Sequence, residues 1–136
     1  MAMQFDPTRP IYLQLMEEIK FRTVRGVYSP GSQLPSVRDM AKEMEVNPNT
    51  IARVYRELER EGFITTRRGQ GSFITDDTEH IGQERIRLGH VATDRFIGDI
   101  GDLGLSDRQV REVLEQIEQT LLRKNTRQNT NNSENT

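Results

Sequence analysis

The chain has 136 residues, 19 Lys and Arg against 21 Asp and Glu for a net charge of −2, and no cysteine. That length suits one ordinary domain or a small domain with an appendage, and the missing thiols exclude disulfides, thiolate metal sites and cysteine nucleophiles. No apolar run approaches the roughly 20 residues of a membrane span, and Met1 to Pro10 lacks the basic and apolar regions of a signal peptide, so a cytoplasmic protein with no membrane partner is expected.

From Pro10 onward, Ile11, Tyr12, Leu15, Met16 and Ile19 recur at spacings of three and four, which predicts an amphipathic packing helix started by Pro10 and ended by Gly26. Little chemistry is expected of it. Ser29-Pro30-Gly31 reads as a turn, and Leu34-Pro35 as an extended segment leading to Ser36. Ser36 followed by Asp39 has the capping-box pattern, and Val37, Met40, Ala41 and Met44 supply the apolar side of a second, short helix. Arg38 falls in its first turn, away from that stripe, where a cation opposes the helix dipole. A phosphate or base would offset this local cost; a simply solvated arginine is the alternative.

Only Glu45, Val46 and Asn47 separate this helix from a third, the length of a helix-turn-helix connection, although such turns favour glycine where this chain has Glu45. The third helix spans Asn47 to Glu61. Asn47 is a good N-cap, Pro48 fits the first helical position, and Val46 with Ile51 can form a hydrophobic staple. At 100° per residue, Ile51, Val54, Tyr55 and Leu58 share one stripe, while Asn49, Arg53, Arg56 and Arg60 cluster opposite. One side wants a core and the other an anion. Asn can bond adenine in bidentate fashion, and Arg can bond guanine or phosphate, so this reads as a recognition helix for double-stranded DNA. Glu57, Glu59 and Glu61 interleave with the arginines, and a solvated charged helix fits them equally until the neighbours are considered.

Gly62 can close the third helix in a left-handed conformation. Phe63 to Thr66 and Ser72 to Thr75 then have strand composition, joined by Arg67, Arg68, Gly69, Gln70 and Gly71. Glycine lets a backbone approach a duplex, and arginine suits phosphates or a narrow minor groove. This tip lacks the Gly-Lys-Ser/Thr ending of a P-loop. Alone it is a solvated hairpin; after a helix-turn-helix it reads as a wing. Up to Thr75 the chain holds eleven Lys and Arg against nine Asp and Glu, and beyond it eight against twelve, the sign expected of a binding head and a non-binding tail.

Pro10-Ile11-Tyr12, Leu34-Pro35-Ser36-Val37-Arg38, Asn47-Pro48-Asn49-Thr50, Tyr55-Arg56-Glu57-Leu58-Glu59 and Arg68-Gly69-Gln70-Gly71-Ser72-Phe73 together resemble the winged-helix head of GntR-type bacterial transcriptional regulators. The resemblance covers Pro10 to Thr75, and its Asn-Pro-Asn-Thr start and short remaining chain are most similar to the YtrA-like subgroup. It implies DNA contacts at Ser36, Arg38, Asn47, Asn49, Thr50 and Arg53 and at the wing residues Arg67, Arg68, Gly69, Gln70 and Gly71; Arg56 joins them from the helical pattern. Several members carry arginine where this chain has Pro48 and Ala52, so base preference does not transfer.

Past Thr75, Asp76 to Gly82 is polar, a linker or the start of a helix. Ile86, Phe96, Ile97 and Ile100 can line a helix from about Gln83 to Asp102, although Gly89, Gly98 and Gly101 each disfavour it by roughly 1 kcal/mol relative to Ala. Gly104 suits its end, Ser106 with Gln109 repeats the capping-box pattern, and Val110, Val113, Leu114, Ile117 and Leu121 mark one side of a final helix. Two such helices bury little by themselves, so their apolar residues are expected to form a homodimer interface, with packing back onto the head as the alternative. A short helical dimerisation tail is also what the YtrA-like resemblance implies. Asn125 to Thr136 lacks apolar periodicity and is expected to be disordered.

The predicted architecture is mostly α with a small β-hairpin: a winged helix-turn-helix head over 1–76, a helical dimerisation domain over 77–124 and a disordered tail over 125–136. The function it implies is a dimeric, sequence-specific repressor on an inverted-repeat operator. A winged-helix adaptor that docks another protein is the alternative, though arginines suit a protein-binding wing tip poorly. An enzyme is not expected: His80 and His90 lie outside the motif-rich half with no metal-ligand spacing, and no metal or cofactor signature appears. No small-molecule effector can be read from these residues.

Overall fold

The computed structural model describes residues 3–134, and side-chain surroundings for residues 3–131. In chain order it contains α1 (Ile11–Val24), α2 (Val37–Met44), α3 (Pro48–Arg60), β1 (Ile64–Arg67), β2 (Gly71–Ile74), α4 (Thr78–Gly101) and α5 (Asp107–Glu134). No helix among these residues is long and apolar enough to cross a membrane.

The apolar residues at helical spacing meet in one core. Leu15 and Ile19 of α1, Met40 and Met44 of α2, and Ile51, Val54 and Leu58 of α3 are buried, and Phe63, Ile64 and Ile74 close the core beneath the hairpin. Each such side chain contributes about 1.5–3 kcal/mol through burial. β1 and β2 pair antiparallel, with Ile64 opposite Ile74 and Arg67 opposite Gly71. The extended segment before α2 adds a third lane: Leu34 N donates to Ser72 O at 2.8 Å, and Ile74 N to Ser32 O at 2.9 Å.

Buried polar groups tie the helices together. Gln14 accepts from Asp6 N at 2.8 Å and donates to the carbonyls of Asp6 and Arg9, holding the segment before α1. Lys20, 5% exposed, reaches Glu61 after α3 at 2.6 Å and Glu84 of α4 at 3.4 Å. Burial alone would raise the Glu84 carboxyl, but hydrogen bonds and charge from Arg87 and Lys20 outweigh it and hold the group below its usual range.

The chain divides into two compact units, one extending to Val91 and the other beginning at Ala92. A division at 76/77 marks the end of the wing, but Ile81 is buried in the head core and Glu84 bonds Lys20, so the first part of α4 belongs with the head. α4 starts at Thr78, earlier than Gln83, because the Asp77 carboxylate accepts from Glu79 N and His80 N at 3.1 and 3.2 Å. It runs as helix through Gly89 and Gly98 to Gly101. In the second unit Gly104 is left-handed at φ +64°, and the Ser106–Gln109 box is reciprocal, at 3.0 and 3.3 Å.

One expectation is corrected. Residues 125–134 continue α5 as helix instead of forming a disordered tail. Extending an established helix orders one residue per added hydrogen bond, and Thr126 and Thr130 donate their hydroxyls to the carbonyls of Leu122 and Thr126 at 2.9 Å each. Residues 135 and 136 of the expected tail lie outside the described residues.

Candidate nucleic-acid interface

The position of α3 is set from both ends. Asn47 is extended, at φ −64° and ψ 135°, and its side-chain oxygen accepts from Asn49 N at 2.8 Å, with Pro48 at the first helical position. Val46 packs against the core, and Gly62 leaves the helix at φ +75°. Glu45 turns the chain between α2 and α3 in the left-handed region, at φ 56°, where a glycine would be unstrained.

Two hydrogen-bonding side chains lock the helix-turn-helix to its surroundings. Tyr55 on α3 donates its hydroxyl to the Pro35 carbonyl at 2.7 Å. Burial, with Tyr28 and Glu43 acting in the same direction, pushes this phenol well above its usual value, so it remains a donor across the physiological range. Arg22 on α1 bonds Glu18 at 3.1 Å and Glu43 of α2 at 2.8 Å. Burial works against its charge, but bonds to Tyr28, Glu18 and Glu43 prevail and hold the guanidinium protonated.

With Ile51, Val54, Tyr55 and Leu58 turned inward, Asn49, Arg53, Arg56 and Arg60 of α3 are exposed and Thr50 is half-buried. Arg60 is engaged by Glu57 at 3.1 Å. Arg38 and Arg56 are exposed and make no ion pair among the described residues. Ser36 is occupied as the α2 cap, accepting from Asp39 N at 3.1 Å. Arg9, Lys20 and Arg22, by contrast, are all paired with carboxylates. Arg9, Lys20 and Arg22 thus serve cohesion, while Arg38 and Arg56 and the exposed wing arginines stay available to an external anion.

At the wing tip, Arg68, Gly69 and Gln70 turn the chain, with Gly69 at φ +77° and Gln70 N donating to Arg67 O at 2.9 Å. Arg67 lies over the Phe73 ring at 4.4 Å. Gln33, which precedes Ser36 by three residues, donates its side-chain amide to the Gln70 carbonyl at 2.8 Å. A Cβ at Gly71 would come within 2.7 Å of that amide nitrogen, so the glycine permits the close approach. Gln33 therefore links the wing tip to the start of α2.

At the beginning of α3, Asn49, Thr50 and Arg53 join Pro10, Ile11 and Tyr12 around an open concavity of about 610 Å³. The Arg53 guanidinium stacks on the Tyr12 ring at 3.7 Å from the centroid. The sequence pattern marks Tyr12 only as a packing residue and passes over Gln33 entirely. His80 is half-buried and meets the Phe63 ring edge-on at 5.8 Å.

A short helix, a tight turn, a second helix with a bare polar side and a glycine- and arginine-tipped hairpin define a winged helix-turn-helix, a DNA-binding class. The signature of bacterial regulatory proteins of the gntR family matches residues 11–74. YhcF of Bacillus subtilis (strain 168), described as an uncharacterized HTH-type transcriptional regulator, is 43% identical over 109 residues, which cover 80% of this chain and 90% of YhcF. YtrA of the same organism, an HTH-type transcriptional repressor, is 44% identical over 78 residues, 56% of this chain and 60% of YtrA. A solved GntR family transcriptional regulator from Listeria monocytogenes matches with a TM-score of 0.70 at 37% identity, over 82% of this chain and 98% of its own. The chain belongs to the GntR family and is a DNA-binding transcriptional regulator.

Proposed function

We propose that this regulator is a cytoplasmic repressor, not an enzyme, and binds an inverted-repeat operator as a homodimer. The observation that carries the reading is the outward side of α3, where Asn49 and Arg53 are exposed beside half-buried Thr50, flanked by a wing whose tip exposes Arg67 and Arg68. In this reading Ser36, Arg38, Arg56 and the wing residues Arg67, Arg68, Gly69, Gln70 and Gly71 set register on phosphates or the minor groove, and Asn49, Thr50 and Arg53 read base edges. Asn47 uses one lone pair of its side-chain oxygen as a cap and offers its amide NH2 to a duplex. Repression is supported by the likeness to YtrA.

The dimer is supported by the second unit. Phe96 and Ile97 of α4 and Val113, Leu114, Ile117 and Leu121 of α5 line an apolar groove of about 700 Å³, and Ile97, Leu114 and Leu121 are more than half exposed. Ile100 and Val110 are half-buried beside the connection, and Ile86 belongs to the first unit, where it is exposed. In this reading a second copy covers the groove, and the operator half-sites lie about one turn of DNA, roughly 34 Å, apart.

Selection of bound fragments from random duplexes tests the whole reading. The expected product is an inverted repeat bound by two chains, with affinity falling steeply as salt rises through counterion release. A single asymmetric half-site bound by one chain removes the dimer, and no enrichment removes sequence-specific recognition.

A further inference from the structure

Arg53 has no carboxylate partner among the described residues, and its guanidinium carbon stands 3.7 Å from the Tyr12 ring centroid. This is stacking distance, well inside the ~6 Å reach of a cation–π contact. Of the other arginine stacks, Arg25 on Phe21 lies beside α1 at 5.2 Å, and Arg67 on Phe73 within the hairpin at 4.4 Å. The Tyr12–Arg53 contact instead bridges α1 and α3, which pack against each other. Tyr12 is half-buried, so its ring is backed by protein, whereas Arg53 is exposed. A free arginine spreads over many rotamers, but one lying flat on a fixed ring keeps few of them. The ring backs one side of the guanidinium, and Arg53 lines the same open concavity as Asn49 and Thr50, where its N–H donors can meet a base edge.

We infer that Tyr12 is a positioning residue for Arg53: its ring holds the guanidinium plane so that the donor edge meets a base pair in a set register. Discrimination between operators then depends on a side chain of α1 that acts through α3. The inference rests on α3 being the reading helix, and the test separates the two.

Full-length protein is titrated with the duplex recovered by selection and with a scrambled duplex of equal length, and the ratio of the two Kd values is the readout. Arg53→Ala is expected to reduce that ratio about tenfold, the order of one bidentate base contact. Tyr12→Leu should lose most of the same ratio, Tyr12→Phe should retain it, and Tyr12→Leu with Arg53→Ala should lose no more than Arg53→Ala alone. Tyr12→Met, which also lacks an aromatic face, replaces Tyr12→Leu if that variant melts early. Tyr12→Phe failing like Tyr12→Leu would mean that the hydroxyl touches DNA directly, and overturns the positioning role. Additive losses, or an unchanged ratio in both Tyr12→Leu and Tyr12→Met, overturn it as well. An unchanged ratio in Arg53→Ala removes the reading role of this arginine and the inference with it.

Discussion

The two units of the chain differ in whether they bury a core of apolar residues. In the first, Leu15, Ile19, Met40, Ile51, Leu58 and Phe63 are wholly buried, and the outward side of α3 is left to polar groups. In the second, Ile97, Leu114, Leu121 and Leu122 are each more than half exposed. The first unit builds a closed core of its own, although Val27 and Ile86 at its surface are also more than half exposed. The second leaves its apolar surface as the part to be covered. Such a division fits the proposed dimer, in which one unit reads DNA and the other pairs.

Removing the Phe63 ring should collapse that contrast at its strong end. Phe63→Ala empties the centre of the head core and is expected to cost about 3–5 kcal/mol, read as a large fall in melting temperature and loss of DNA binding. Ile117→Asp sharpens the contrast from the other side. Head melting should persist while sedimentation shows single chains and affinity for a two-half-site duplex drops by about 10²–10⁴ through lost avidity; an unchanged mass would take this groove out of the assembly. Asn47→Ala removes the α3 cap and should cost about 1 kcal/mol in denaturant unfolding, with the amplitude confined to the head. The smallest effect is on pH. Because the Glu84 carboxyl is held below its ordinary value in the folded chain, its contribution is complete above the unfolded pKa and is lost as pH falls toward the lowered folded value. Melting profiles should show a shallow acid-side decline that Glu84→Gln flattens.

Local signals make α3 legible in the sequence. Asn47, Pro48 and Gly62 mark its ends, and the Ile51–Val54–Leu58 spacing marks its buried side. The hairpin is legible for the same reason, since strand composition and glycine position are properties of neighbouring residues. Long-range features are not. Gln33 meets Gln70 across 37 residues, and no periodicity announces that bond. Lys20 carries no signal in the helical pattern, and its role emerges only where Glu61 and Glu84 arrive from two other segments to pair with it. Tyr12 carries the right spacing for packing, and its second use as a shelf for Arg53 depends on how α1 meets α3. The helical course of residues 125–134 is hidden because composition reports the missing apolar stripe and not the continuity inherited from the preceding turns.

The left-handed backbone of Glu45 offers a practical handle. A side chain in that region is held against a preference of roughly 1–2 kcal/mol, and glycine or asparagine tolerates the same bend more readily. Glu45 is exposed and lies outside the core. Replacing it therefore provides a reserve of thermal robustness, against which fragile substitutions elsewhere in the head can be introduced and still yield a foldable sample.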